Sequence, residues 1–210
     1  MAACSAASTA ASTAATDRLV FYSKSACVAP GKGAHERVAD PQAYAALAVG
    51  FPGWRRMLSN FHVAPFAWTG GDVFPVPFPE GTVFNSIEHA FQASKFWANA
   101  PGADPRRKFC LEHAALSFSM APGNDLGARD GRAAQRARKL VVLQPEELAL
   151  WADLTGRMQA SAAEAKYAQH PECLAMLKGT APAQLLHLVT VRGKPSQLVR
   201  FDHLEAIRDR

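Results

Sequence analysis

The clearest periodicity in the chain lies in its middle, where Ile87, Ala90, Phe91 and Ala98 recur at helical spacing and pin one face to a core. This predicts a helix that starts at Ser86 and ends by Pro101-Gly102, both helix-stopping residues. Ahead of it, Leu19 to Ser23 reads as a short first strand and Pro41 to Leu47 as a short helix, with proline in the first turn. Residues 62–84 alternate apolar side chains with Pro and Gly, through Thr69-Gly70-Gly71-Asp72, which predicts a small hairpin. After the central helix the pattern is helical almost throughout. One helix is expected over 105–118, with breaks at Gly123-Asn124-Asp125 and Asp130-Gly131. A long helix opens at Pro145-Glu146-Glu147 and runs toward His170-Pro171, and a short one continues to Leu177. A strand over Gln184–Thr190 and a last helix near Asp202–Ile207 complete the chain. The fold class is α+β, mainly helical, with a small β element and no internal repeat. Residues 1–16 are almost entirely Ala, Ser and Thr, so a disordered tail over 1–17 is expected before one domain, 18–210.

Composition narrows the class. The chain has 210 residues, 49% hydrophobic and 20% charged, ordinary for a globular protein with a substantial core. No apolar run approaches the roughly 20 residues needed to cross a bilayer, so no membrane partner is expected. The net charge of +5 suits an anionic small molecule or a loose nucleic-acid contact, although a solvated basic face is the commoner cause. Cys4, Cys27, Cys110 and Cys173 form no C-x-x-C pair, which argues against a zinc site or a disulfide framework and fits a reducing, cytoplasmic setting. The amino-terminal tail lacks acids, as organelle transit peptides do, and lacks their arginines too, which leaves organelle targeting open. The histidines form no H-x-x-x-H pattern, so no metal ligands are expected.

Three stretches carry candidate chemistry. Ser86 is a good N-cap, and Glu88 sits in the first turn, where the helix dipole and free N–H groups favour an ionised carboxylate. Glu88, Gln92 and Lys95 share a face. A carboxylate there is placed to stabilise a developing cation, or activate a water, near a sugar C1 carbon. On this segment alone a capping or dipole role is the commoner one. Pro30 to Glu36 is a loop rich in glycine and lysine. With Lys24 and Lys32 adding charge it is a secondary candidate for cradling phosphate; its spacing is not that of a Walker loop, and a plain surface loop is an equal reading. The basic run Arg129 to Lys139 reads mostly as a solvated helix side, with Arg132 and Arg136 the residues placed to reach a phosphate.

These motifs have company. Phe21-Tyr22-Ser23, Ser59-Asn60-Phe61, Pro65-Phe66, Ser86-x-Glu88-His89-x-Phe91-Gln92-Ala93-x-Lys95-Phe96, Trp151, Ala165-Lys166-Tyr167-x-Gln169, Leu177, Thr180 and Leu185 follow one another in order. In this the chain resembles the NADAR (YbiA-like) N-glycosidase family over residues from about 20 to 190, most of the chain. The resemblance implies a hydrolase that cleaves the N-glycosidic bond between a (phospho)ribose or ADP-ribose and a nucleobase-like group, as in riboflavin-synthesis intermediates or ADP-ribosylated bases. It implies Glu88 as the catalytic carboxylate and Trp151 as an aromatic that stacks on the leaving base or closes the pocket. Tyr22, Lys24, Asn60, Phe61, His89, Gln92 and Lys95 are the candidate substrate-binding residues. No cofactor is implied. The partner is a small ribosyl or ADP-ribosyl compound, with ADP-ribosylated nucleic acid as a further possibility. The carboxyl end departs from the family: its W-G-x-G loop and nearby acid have no match in Val191-Arg192-Gly193-Lys194-Pro195, and Asp202 and Glu36 are the candidate substitutes. That departure motivates the alternative, a non-catalytic ADP-ribose- or nucleotide-binding module. A nucleic-acid-associated protein ranks third, since no stacking platform or helix-turn-helix signature supports it.

Overall fold

Strands from opposite ends of the chain meet to frame the molecule. The computed structural model describes residues 16–190, 193 and 195–210. The tail as far as residue 15, and Val191, Arg192 and Lys194 of the closing segment, lie outside the described residues. In chain order the elements are β1 (Arg18–Phe21), a 3-10 turn (Pro41–Tyr44) leading into α1 (Ala45–Gly50), α2 (Trp54–Met57), β2 (Phe66–Ala67), β3 (Val83–Phe84) and α3 (Ile87–Trp97). Then come α4 (Pro105–Leu116), α5 (Gly131–Arg136), α6 (Pro145–Gln169), α7 (Pro171–Lys178), β4 (Gln184–Val189), β5 (Gln197–Arg200) and α8 (Asp202–Arg208). The protein is α+β and mainly helical.

Sheet order is β1-β4-β5: β1 runs parallel to β4, from Arg18 opposite Gln184 to Phe21 opposite His187, and β5 returns antiparallel. β5 and α2 stand where no element is expected; the other helices and strands lie near the expected positions. Strand β5 lacks an apolar pattern to announce it: Pro195 and Ser196 precede it, and every residue in it is exposed.

Prolines 105, 145 and 171 start three of the helices, since a residue without an N–H leaves nothing unpaired at a first helical position. Asp104 caps α4 by accepting from the Arg106 and Arg107 N–H groups, and Asp130 caps α5 by accepting from Ala133 N. The Asp130-Gly131 break is therefore also a helix start. Arg107 reaches across to α6 and donates to both oxygens of Glu147 at 3.0 and 2.6 Å.

The expected hairpin shrinks to two paired rungs, Phe66 with Phe84 and Ala67 with Val83. Between them Pro75, Pro77 and Pro79 remove ladder donors. The segment is held instead by aromatic packing of Trp68, Phe74, Phe78 and Phe84, with Phe78 stacked on Trp97 at 4.6 Å. This cluster, together with α4, α5 and α6, surrounds α3. Within α3 only Phe91 and Lys95 keep appreciable exposure. The helix is thus buried nearly all round rather than on one stripe, and its polar residues are taken inside with it.

Candidate functional site

The start of α3 is assembled from two distant segments. Asn85 donates through Nδ2 to the Arg129 carbonyl at 2.8 Å, while its own carbonyl accepts from Ala64 N at 3.1 Å. The Asn60 carbonyl accepts the Glu88 N–H at 2.9 Å. Phe61 packs against the first residue of α5, where a Cβ on Gly131 would stand 2.8 Å from the Phe61 Cα, so only glycine permits the approach. Ser59-Asn60-Phe61 and the E-H-x-F-Q helix, read as separate motifs, are in this way one unit.

Ser86 stands at the N-cap with extended backbone, but its hydroxyl does not cap the helix. It lies 2.8 Å from His89 Nδ1 instead, because Asn60 has already satisfied the Glu88 N–H. The expectation that helix dipole and N–H groups hold Glu88 ionised also fails. Glu88 is 7% exposed, and burial pushes its carboxyl up to about 7. The hydrogen bond from Gln92 Nε2 to Glu88 Oε1, at 2.8 Å, opposes that shift without cancelling it. Among the described residues nothing donates to Oε2. Desolvation therefore outweighs the dipole, whose effect is at most about 2 kcal/mol even in favourable, partly buried geometry.

Three buried polar atoms on the same helix have no hydrogen-bond partner among the described residues: His89 Nε2, Gln92 Oε1 and Ser94 Oγ. His89 is fully sealed from solvent; burial holds its pKa down, with the Leu126 backbone and Asp130 opposing. Gln92 is 4% exposed and its assigned contact is Glu88. Trp151, on α6, packs edge-to-face on Phe91 with ring centroids 5.0 Å apart, one turn beyond Glu88. Lys95 sits two turns from Glu88, donates to the Arg138 carbonyl at 2.5 Å and lies 5.2 Å from the Phe96 ring. Burial, with Arg138 and Lys139 nearby, lowers its pKa.

Tyr22 and Lys24 follow β1 and flank Ser23, which lines a cavity of about 320 Å³ together with Arg56, Ser59, Phe61, His62 and Val63. The structure thus gathers Asn60, Phe61, Glu88, His89, Gln92 and Trp151 around the first turns of α3, sets Tyr22 and Lys24 beside the adjoining cavity, and leaves Lys95 at the far end of the helix.

Two expectations are corrected. The glycine loop cradles an anion of its own: Glu36 Oε2 accepts from Gly31 N and Gly33 N at 2.9 and 3.0 Å, and Arg55 pairs with the same carboxylate at 2.8 Å. With side-chain exposures of 3% for Arg55 and 0% for Glu36, no room remains for a phosphate, and Glu36 has no free edge to replace the missing acid. Asp202 has an 85% exposed side chain directed to solvent.

Sequence reasoning missed Arg56, His62 and the part played by Lys166. Lys166 was legible only as a motif letter; it is fully buried, its Nζ has no partner among the described residues, and burial lowers its pKa to about 8. No periodicity announces a lysine inside a core.

Fold and site together define an α+β protein, mainly helical, with a half-satisfied carboxyl at the start of its central helix. Among the described residues no helix is long and apolar enough to cross a membrane, and no three acidic, His or Cys side chains converge to hold a metal. No protein-family model and no curated protein matches the chain. The chain is similar to a solved structure, the NMR structure of the E. coli protein YbiA, at 20% identity, covering 83% of this chain and 68% of that chain with a TM-score of 0.40.

Proposed function

We propose that the protein is a hydrolase of N-glycosidic bonds, cleaving a ribose or ADP-ribose from a nucleobase-like group with Glu88 as its catalytic carboxylate. The observation that carries this is the state of Glu88: buried, held on one oxygen by Gln92, and poised near neutrality. A carboxyl at about 7 is divided between its two forms at neutral pH. As the glycosidic bond breaks, positive charge builds on the ring oxygen and C1. The ionised form of Glu88 stabilises that charge and orients the attacking water, whose oxygen bonds to C1 as the electron pair of the broken bond leaves with the base and a water proton ends on the base. Trp151 and Phe91 supply an aromatic wall one turn away. The ordered motifs that resemble the NADAR family support the same reading, since Asn60 and Glu88 of two such motifs share a hydrogen bond.

The test is incubation of the protein with N-ribosides, riboflavin-synthesis intermediates and ADP-ribosylated guanosine, watching for released base. Glu88→Gln is expected to lower base release at least about a hundredfold, the scale of preorganised charge stabilisation. Unchanged turnover in that variant would remove Glu88 from the chemistry. Tight binding of an intact ligand, with no base released over hours, would instead mark a binding module.

A further inference from the structure

The loop after β1 and the turn before α2 enclose another cavity, of about 220 Å³, whose walls carry no charged side chain. Cys27 and Val28 line it from the loop, and Ala48, Phe51, Pro52 and Trp54 from α1 and the turn. The apolar character extends outward: from Pro41 to Trp54 no residue is charged, and Val49 on α1 is 83% exposed. Cys27 is exposed, and its Sγ rests against the turn, where a Cβ on Gly53 would stand 3.6 Å from it.

The loop that presents the thiol is clamped. Arg55 donates to the carbonyls of Ala26, Val28 and Ala29. Arg56, in no ion pair among the described residues, donates through Nε to that of Ser25 at 2.8 Å. With the carbonyls engaged in this way, the N–H groups of Cys27, Val28 and Ala29 make no hydrogen bond among the described residues. Trp54 is 2% exposed, and its Nε1 has no partner among them either. A wall otherwise made of hydrocarbon thus holds a thiol together with unused donors. Such donors suit a carbonyl oxygen on which negative charge develops.

Two properties narrow the ligand. The volume falls below the roughly 300–1,000 Å³ of sites for drug-sized molecules, so the occupant is small. None of the lining residues is a His, Asp, Glu or Lys, so no base activates the thiol and no acid protonates a leaving group. Acyl transfer draws on both kinds of help. Conjugate addition has no leaving group and proceeds with a thiol alone. We propose that Cys27 is a covalent modification site for small, apolar α,β-unsaturated carbonyl compounds. The sulfur bonds to the β-carbon, the alkene electron pair shifts toward the carbonyl oxygen, where the free N–H groups receive the charge, and the proton lost by the thiol ends on the α-carbon. No oxidant or second reactant is consumed. None of the residues proposed for N-glycoside hydrolysis lines this cavity, so the site stands apart from that reading.

Incubation of the full chain with cyclohex-2-enone, followed by peptide mass spectrometry, tests this, with the exposed Cys110 on α4 as internal reference. Adduct is expected to form at Cys27 at least about tenfold faster than at Cys110, the scale of one hydrogen bond to a charged group. Iodoacetamide, which needs no apolar seat, should distinguish the two cysteines by much less. Cyclohexanone, the saturated and unreactive analogue, should slow enone labelling at Cys27 and leave Cys110 unaffected. Ala48→Phe, at a half-buried position, fills the cavity without touching the thiol. It is expected to bring the Cys27 enone rate down to that of Cys110 and to leave the iodoacetamide rate as it was. If that variant does not fold, protection by cyclohexanone decides the matter in the wild type. Equal enone rates at the two cysteines, the same preference with iodoacetamide, no protection by cyclohexanone, or an undiminished preference in folded Ala48→Phe would each overturn the assignment.

Discussion

Glu36 accepts five hydrogen bonds, from Val20 N, Gly31 N, Gly33 N and two nitrogens of Arg55, while Glu88 accepts one, from Gln92. Both carboxyls are out of water, but only the first is given back what water supplied. The comparison separates structure from chemistry within one chain. A fully donated carboxylate locks a loop onto β1 and α2. A carboxyl with one donor sits undecided between its forms, a state that costs stability and is useful only if something else completes it. The same contrast recurs among the cations, with Arg55 saturated and Lys166 bare.

The largest effect should come from breaking the satisfied pair. Glu36→Ala strands Arg55 in the interior and is expected to lower stability by about 3–5 kcal/mol in denaturant unfolding. A near-native midpoint with loss of base release would reverse the roles assigned to the two glutamates. Glu88→Gln should do the opposite, losing base release while gaining stability. The folded pKa of about 7 exceeds the ordinary 4.5, so folding favours the protonated form. Stability from that source is complete below about 4.5 and is lost as pH rises through 7. Glutamine cannot ionise, so its advantage should be negligible at pH 4, grow across that window and level at about 3 kcal/mol by pH 8. In the wild type, base release should rise with pH through about 7, and that limb should vanish in the variant.

Lys166→Met sharpens the cationic half of the comparison. Burial lowers the folded pKa from 10.5 to about 8, so stability is lost as pH falls from 10.5 through 8. Methionine is expected to stabilise the fold by up to about 3 kcal/mol at pH 7 and by little above pH 10.5. Smallest is Ser86→Ala. It leaves both ring nitrogens of His89 without a partner and should lower the unfolding free energy by about 1–2 kcal/mol, because the hydroxyl serves the histidine and not the helix end.

Much of the scaffold was legible. Pro105, Pro145 and Pro171 mark helix starts, the Ile87-to-Ala98 spacing marks α3, and β1 and β4 stand close to where apolar runs predict them. β5 escaped because an exposed edge strand has no buried face to write into its sequence. The residues proposed for the site could be named from their order, through Ser59-Asn60-Phe61, Glu88 and Trp151, but their electrostatics could not.

The order of residues alone determined the helices, their prolines and aspartate caps, and the α+β class, since these depend on contacts within a few positions. Tertiary structure decided that Glu88 is poised and Glu36 is fixed, that Ser86 serves His89, that Arg56 is free while Arg55 is bound, and that Lys166 carries its charge unpaired. Each of those outcomes depends on which distant segment removes water and which brings a donor, and neither quantity is encoded in the spacing of neighbours along the chain.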